Sequence, residues 1–402
     1  MSNIKKYPFA NLYEMSSGIS SKKEQAGHGA PFVSFGTVFN NYFLPDELPD
    51  LMDTSDKEQE IYSVKEGDIL ITRTSETIDE LAMSCVASKD YPRATYSGFT
   101  KRLRPKTEGI AYSKYMAFYL RGYLFRKAVT NNAFMTLRAS FNEDIFSFLD
   151  LHLPEYEQQV KIGDLFYKIE QKIQLNKKIN DNLEHMANQL YEYWFMQFQF
   201  PDQNDNPYKS SGGNMKYNVL LKTQIPEVWH VQTIASLLDR IPNTLRIQSL
   251  NYESSGSIPI VDQSASLIAG YTNNPATILH DKHGYIVFGD HTRVVKYILF
   301  PFARGADGTQ ILKSKLLCMP TELLYHTIKH IDLSNQGYAR HFKFLKDSIV
   351  IVPSEDIAQQ FAEKVSLWHE QQKQLLFENN ALVKLRDWLL PMLMNGQATI
   401  ND

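Results

Sequence analysis

The side chains of this chain that could do chemistry are charged and aromatic groups gathered in runs, while the constellations that enzymes use are missing. No Gly-x-Gly-x-x-Gly occurs, and Gly27-His28-Gly29 runs on into Ala30-Pro31-Phe32. A Walker A loop, His-Glu-x-x-His and Gly-x-Ser-x-Gly are likewise absent, so phosphate cradling, zinc hydrolysis and a nucleophile elbow have no residues to rest on. Asn274-Pro275-Ala276 lacks the second proline and the aromatic with which adenine methyltransferases hold an amino group. Glu170-Gln171-Lys172 falls inside a heptad repeat, where a solvated helix face is the simpler reading than a nuclease motif. His280, His283 and His291 are not joined by cysteine or carboxylate at metal-ligand spacing, so no metal site is expected.

What remains is binding chemistry. Residues 91–127 carry nine basic residues (Arg93, Lys101, Arg102, Arg104, Lys106, Lys114, Arg121, Arg126, Lys127) against Glu108 alone. Residues 46–80 are the reverse, twelve acids against Lys57, Lys65 and Arg73. In residues 280–346, ten Lys/Arg face five acids and are joined by six histidines. Tyr91, Tyr96, Phe99, Tyr297, Phe300, Phe302, Tyr338 and Phe342 are interleaved with the basic runs. Basic side chains hold phosphates, and Arg, Asn, Gln and His read base edges. A charge run is also what a solvated face looks like, and the pattern by itself does not choose between them. The formal net charge of −3 argues against a chain that coats nucleic acid indiscriminately, while leaving room for a local basic face.

Elements that would position such side chains are visible as a repeat. Ile162, Ile169, Asn176, Leu183 and Leu190 sit seven apart, and a single constant offset carries them onto Phe361, Trp368, Leu375, Leu382 and Leu389. A heptad sustained over about five turns of the pattern is a coiled-coil seam. Leu165, Ile179, Met186 and Tyr193 complete a 3-4 spacing in the first copy, Leu385 and Met392 in the second. Each helix is about 40 residues, on the order of 60 Å long, and begins beside Pro154 or Pro353. Asn176 at a core position, in register with Leu375, is the kind of polar residue that fixes pairing.

The segments before the helices repeat more weakly. Gly67-Asp68-Ile69-Leu70-Ile71 and Gly284-Tyr285-Ile286-Val287-Phe288 are each a turn followed by a buried strand, and Phe32-Val33-Ser34 parallels Ile260-Val261-Asp262. Helical stretches follow at Ser113 to Leu124 and Thr321 to Ile331, then return strands at Phe148 to Leu153 and Ser348 to Val352. Strands and helices mixed without strict alternation predict the α+β class. Pro201 to Asn214, rich in Asp, Asn, Ser and Gly, has the composition of a linker. The expected plan is a globular domain at 1–153, a helix at 154–200, a linker at 201–215, a second globular domain at 216–352 and a helix at 353–396. Two long antiparallel coiled-coil helices then separate two globular α/β-mixed domains with pseudo-two-fold symmetry. At 402 residues, 43% hydrophobic and 12% aromatic, the chain is long and apolar enough for two such cores. No run of 18 apolar residues occurs, Met1 to Phe9 shows no apolar stretch behind Lys5-Lys6, and the two cysteines make no paired motif. A soluble, cytoplasmic protein is expected.

The local sequence resembles the specificity subunits of type I restriction-modification systems. The resemblance rests on Val287-Phe288-Gly289-Asp290-His291-Thr292-Arg293-Val294-Val295-Lys296-Tyr297, on Phe300-Pro301-Phe302-Ala303-Arg304-Gly305-Ala306-Asp307-Gly308, and on Ile225-Pro226-Glu227-Val228-Trp229. Gly337-Tyr338-Ala339-Arg340-His341-Phe342 and Leu385-Arg386-Asp387-Trp388-Leu389-Leu390-Pro391-Met392-Leu393-Met394-Asn395-Gly396 extend it, and Leu153-Pro154 through Trp194-Phe195 is similar to the central conserved region. Before residue 150 the resemblance is mainly architectural, with Thr72-Arg73-Thr74-Ser75 where the second half has its Gly-Asp-His-Thr-Arg run.

The resemblance implies two target recognition domains, each reading one half of a bipartite asymmetric double-stranded DNA site, with the helices setting the gap and docking two modification (methyltransferase) subunits. It implies a chain without catalysis or cofactor of its own: S-adenosylmethionine belongs to the modification subunits, ATP and Mg to restriction subunits. On that basis Arg293, Lys296 and Arg304 are expected at phosphates or guanine edges, with His291 and Thr292 beside them, and Arg340 and His341 reaching DNA from the loop before the last strand. In the first half Arg93, Tyr96, Lys101, Arg102 and Arg104 are expected in the same role, with Arg73, Thr74 and Arg138 in comparable loops. The rival readings are a coiled-coil scaffold that binds protein only, and the recognition part of another restriction-methylation class.

Overall fold

A computed structural model describes residues 4–20, 22–77, 80–132, 139–306, 308–334 and 340–400. The chain divides into two compact units, Met1–Gln174 with Asn379–Asp402, and Leu175–Glu378. The division falls within each long helix, so each unit holds a stretch of both.

In the first unit, strand Lys5–Pro8 pairs antiparallel with Asp150–Leu153, which brings the two ends of the globular part side by side. A four-residue helix, Phe9–Leu12, follows at once. The main sheet is ordered Tyr13–Ser17, Thr100–Pro105, Ile69–Thr72, Ser84–Val86. Ile69, Leu70 and Ile71 are buried on both faces of their strand, the continuous apolar run expected of a central position. Gly67 opens that strand at φ +83°, a conformation that strains residues bearing a Cβ. A second small sheet sets Ala26–Val33 parallel to Thr95–Tyr96 through Phe32 and Val33. Helices Ser113–Tyr119, Tyr123–Asn132 and Glu143–Phe148 complete the domain around Phe9, Phe118 and Phe125.

The second unit repeats this plan. His230–Thr233 pairs antiparallel with Ile349–Val352, and Ile234–Leu237 is the short helix after it. Tyr285–Gly289 is the central buried strand between Val295–Ile298 and Thr309–Leu312, and Gly284 opens it at φ +67°. Ile260 and Val261 run parallel to Ala303 and Arg304, the counterpart of Phe32 and Val33 beside Thr95 and Tyr96. Helices Thr321–Lys329 and His341–Asp347 precede the last strand. The mixed α/β architecture with two long helices is thus the predicted one.

The long helices span Tyr156–Tyr191, ending in a π-turn at Glu192–Met196, and Glu355–Met394, with Pro391 inside its final turn. Each begins two residues past its proline. In the first unit Arg386 pairs with Glu170 at 3.2 Å and Asn379 donates to the Ile173 carbonyl at 3.3 Å. In the second, Asn176 donates to Glu378 at 2.7 Å and Gln372 to the Asn180 carbonyl at 3.2 Å. Within each unit the partners ascend on one helix as they descend on the other, so the pairing is antiparallel. Asn176 meets Glu378, not the Leu375 that equal spacing put in register, because antiparallel contact runs against the direction of a repeat offset. All ten seam residues, Ile162 to Leu190 and Phe361 to Leu389, are at least partly buried.

At the second core position Leu165, Ile179 and Met392 are partly buried as expected, but the residues that fill it most deeply lie one place on. Phe166, Ala187 and Trp194 are buried, whereas Met186 and Tyr193 are 44% and 42% exposed, as is Leu385. The spacing is 4-3 where the sequence pattern suggested 3-4. The neighbour of Met186 is an alanine too small to register as a core residue, although its close fit is what lets the helix pack. The helix faces also merge with the domain cores: Phe166 packs against Phe118 with ring centroids 5.1 Å apart.

The stretch expected to be a linker has local order. Asp202 Oδ1 accepts from the Asn204 and Asn206 amides at 2.8 and 2.9 Å, an Asx turn. Phe200 stacks on both Tyr208 and Trp229 at 4.6 Å, so the turn is stitched to the second unit's core. Among the described residues no helix is long and apolar enough to cross a membrane.

Candidate nucleic-acid interface

The basic run of the first unit is largely consumed inside the domain. Arg104 forms a bidentate pair with Asp68, Nε to Oδ1 at 2.8 Å and Nη2 to Oδ2 at 2.6 Å, and Asp68 is 1% exposed. That hydrogen-bonded carboxylate holds the Arg104 pKa above its usual value. Arg102 donates to the Ser63 carbonyl at 2.5 Å and lies over the Tyr96 ring. Tyr96 is itself fully buried, its hydroxyl donating to the Ser17 carbonyl at 3.2 Å. Lys101 Nζ donates to Ser17 Oγ at 2.9 Å; burial, with Arg73 nearby, lowers its pKa. Arg121 spans four backbone carbonyls, those of Ser84, Val38, Phe39 and Asn41. A strand residue that alternates inward has no alternative to such partners, because an unpaired buried charge costs several kcal/mol. Tyr96, Lys101, Arg102 and Arg104 therefore sit in the fabric of the domain. Arg93 is exposed at φ +63° with Nε donating to Gln59 Oε1 at 3.0 Å. Arg73 is exposed and Thr74 partly so, at the end of the central strand. Arg138 lies outside the described residues.

The second unit divides its predicted residues the same way. Lys296 is buried, its Nζ donating to the carbonyls of Asp262 at 2.8 Å and Ser266 at 2.5 Å; burial depresses its pKa, with Asp262 opposing. Arg304 turns back onto the Thr309 carbonyl, with Nε at 2.8 Å. His341 is buried at the start of its helix. By contrast His291, Thr292, Arg293 and Arg340 are exposed. The first three form the turn after the central strand: the Arg293 amide donates to the Gly289 carbonyl and the Gly289 amide to that of Val294, both at 2.8 Å. Thr292 Oγ1 donates to the Gln263 carbonyl at 2.7 Å, and the His291 amide to Gln263 Oε1 at 3.2 Å. Arg293 holds φ +61°, a left-handed conformation unusual for a residue with a Cβ.

Four segments meet at the tip of each domain through three equivalent backbone bonds. In the second, the Asp290 amide donates to the Gly308 carbonyl at 2.7 Å, the His341 amide to the Asp290 carbonyl at 3.0 Å, and the Gly305 amide to the Val261 carbonyl at 2.9 Å. In the first, the Arg73 amide donates to the Phe99 carbonyl at 2.8 Å, the Phe141 amide to the Arg73 carbonyl at 2.7 Å, and the Ser97 amide to the Val33 carbonyl at 3.0 Å. The second tip adds the buried Asp290 carboxylate, which accepts from the Phe342 amide at 2.8 Å. Arg73 and Asp290 are thus the same position of the repeat, as are Phe99 and Gly308. Sequence reasoning missed Asp290, Gln263 and Phe99 as tip residues, since an aspartate after a strand and a lone phenylalanine look ordinary without the bonds that place them. In the first unit an open cleft of about 460 Å³ is lined by Phe35, Phe39, Thr74, Ser75, Glu76, Glu80 and Phe99. Among the described residues no group of three or more His, Cys, Asp or Glu could hold a metal ion.

Comparison with known proteins points one way. The family model for the type I restriction modification DNA specificity domain matches residues 6–185. The specificity subunit of the type I restriction enzyme MjaIX from Methanocaldococcus jannaschii is 23% identical over 376 residues, covering 86% of this chain and 81% of its own length. That of the HindI enzyme from Haemophilus influenzae is 27% identical over 209 residues, 49% of this chain and 42% of its own. The crystal structure of the type I restriction-modification S subunit from M. genitalium matches with a TM-score of 0.63 at 14% identity, covering 98% of this chain and 96% of that one.

Proposed function

The chain belongs to the specificity-subunit family of type I restriction-modification systems, and from that premise we propose how its parts divide the work. It is the DNA-recognition subunit of such a system. Each domain reads one half of a bipartite asymmetric site, using the tip where four segments converge, and the long helices set the gap between half-sites. The observation that carries this reading is the matched pair of tips, in which exposed His291, Thr292, Arg293 and Arg340 in one domain, and exposed Arg73 with partly exposed Thr74 in the other, stand on or beside segments tied by equivalent backbone bonds. Fixed turns pre-organise side chains for base edges, and the exposed arginines supply phosphate or guanine contacts.

The partners are DNA and restriction-modification subunits. We place two modification subunits on the helices, and S-adenosylmethionine, ATP and Mg on the partner chains of a cytoplasmic complex. This chain supplies position and selectivity and leaves bond-breaking to them. The test is selection from a library of random duplexes by the complex of this chain with its modification subunits. One motif in two parts, separated by a fixed gap, is expected. Removing one heptad from each long helix is expected to change the gap while leaving both half-sites intact. Recovery of no bipartite motif removes the recognition role and favours a protein-binding scaffold; an unchanged gap removes the spacer role.

A further inference from the structure

The equivalence of the two tips identifies a reading residue that charge and motif do not mark. In the first domain the segment Ser97-Gly98-Phe99 is tethered at every residue. The Ser97 amide reaches Val33, the Gly98 amide donates to the Ile19 carbonyl at 2.7 Å, and the Phe99 amide donates to Ser97 Oγ at 3.2 Å. The Phe99 carbonyl accepts from Arg73 at 2.8 Å, and Thr100 closes the turn onto Ser97. A Cβ at Gly98 would stand 2.9 Å from the Ile19 carbonyl oxygen, so the loop lies flush and cannot be refilled. Yet Phe99 is 63% exposed. An aromatic ring left in water on a backbone this constrained has no role in the core of its own domain.

The second domain treats the same position oppositely. Gly308 has φ +84°, and a Cβ there would meet Gln263 Nε2 at 2.6 Å and His291 Cδ2 at 2.8 Å. An amide and an imidazole take the space there, polar groups suited to hydrogen-bonding base edges. In the first domain the corresponding place is apolar, beside Thr74 and Ser75. Glu76 and Glu80 line the same cleft, and carboxylates repel phosphates, so a base edge rather than the backbone is what this cleft suits. On the groove face of a DNA duplex the apolar feature of a base pair is the thymine C5-methyl group.

We infer that Phe99 is a specificity-determining residue of the first domain, making an apolar contact with a thymine methyl in its half-site. The inference rests on the DNA-reading role proposed above and adds to it the chemistry of one contact. Its test uses the complex with the modification subunits and the random-duplex library. Phe99→Ala is expected to relax the preference for a thymine at one position of one half-site, by about ten-fold, with the other half-site and the gap unchanged. Replacing that thymine by uracil in a selected duplex is expected to weaken binding by the unaltered complex to the same extent, and to do nothing further to the variant. Phe99→Leu keeps apolar bulk and is expected to fall between the two, which separates a lost contact from a lost fold. Unchanged base preferences in both variants overturn the inference, as does indifference of the unaltered complex to uracil. Failure of the unaltered complex to select any motif strikes the recognition role instead.

Discussion

The two recognition domains share a frame down to single hydrogen bonds and spend their charged residues differently. In the first, the residues that look most like a nucleic-acid patch are ties. Arg104 answers Asp68, Arg102 reaches Ser63 and caps Tyr96, and Arg121 gathers four carbonyls. In the second, two basic side chains are likewise internal, Lys296 and Arg304, but the turn beyond the central strand leaves His291, Thr292 and Arg293 outward. The lesson concerns what a run of like charge means. Lys101 and Arg102 point to opposite faces of a central strand that is covered on both sides, so each is buried and must be paired. A charge at the turn that ends the strand has no such obligation, so its position in the element says more than the local count.

That contrast can be broken most forcefully at Arg104. Arg104→Leu leaves the Asp68 carboxylate, 1% exposed, without its guanidinium, and we expect a loss of about 2–3 kcal/mol, near the low end for buried pairs because Arg104 is 28% exposed. Urea unfolding of the chain checks this. A loss below about 0.5 kcal/mol means the pair behaves as a surface pair and the residue is free to serve elsewhere.

The units also differ in how they meet acid. The first holds His28 and His152, both exposed. The second buries His326 and His369 with rings 5.5 Å apart, among Tyr191, Tyr325, Phe361, Asn188, Glu184, Lys329 and His330. Burial, with His369 and Lys329 adding to it, drives the His326 pKa down to about 3, and burial lowers His369 as well. A histidine whose folded pKa is depressed takes up protons on unfolding, so its contribution to stability is lost as pH falls below the unfolded value of about 6.5. For His326 the loss is about 2 kcal/mol by pH 5. Glu184 sits near 2: burial raises it, and Lys329, His326 and Gln372 outweigh that, so its own loss comes only below the ordinary glutamate range. Hydrogen exchange at pH 7 and pH 5 is expected to show selective loss of protection in Thr321–Lys329. Equal loss in Ser113–Tyr119 counts against this assignment.

Much of the plan is visible in the amino-acid pattern because it depends on periodicity. Heptads at Ile162 and Phe361, buried runs at Ile69 and Ile286, and paired turns at Gly67 and Gly284 are local signals, and local signals survive without coordinates. The register of the helix pair does not: Ala187 and Met186 exchange roles because burial is decided by the facing helix. The tips are harder still. His291, Thr292 and Arg293 stand out through a contiguous motif, whereas Tyr96 and Arg104 looked similar and are interior, since inward and outward residues of one strand differ only in what lies across the sheet. Phe99, seen in the sequence only as one aromatic beside a basic run, and Asp290, seen only as part of a motif, are placed at the tip by bonds to segments far away in the chain.

The finest distinction lies at Arg293 itself. Its φ of +61° costs about 1 kcal/mol for a residue with a Cβ, a cost glycine avoids, and the turn hydrogen bonds from Arg293 to Gly289 and from Gly289 to Val294 involve backbone alone. If the side chain were only a solvated charge, Arg293→Gly would raise stability and change nothing else. If it reads DNA, the same substitution raises stability by up to about 1 kcal/mol, offset in part by the freer unfolded glycine, and weakens specific binding by about ten-fold. We expect both changes together, measured by thermal unfolding of the chain and by titration of the complex with a selected duplex. Arg293→Ala provides the separation, since it keeps the backbone cost and loses only the guanidinium. Equal binding by all three proteins would return Arg293 to the solvated surface and leave Arg340 to contact DNA without it.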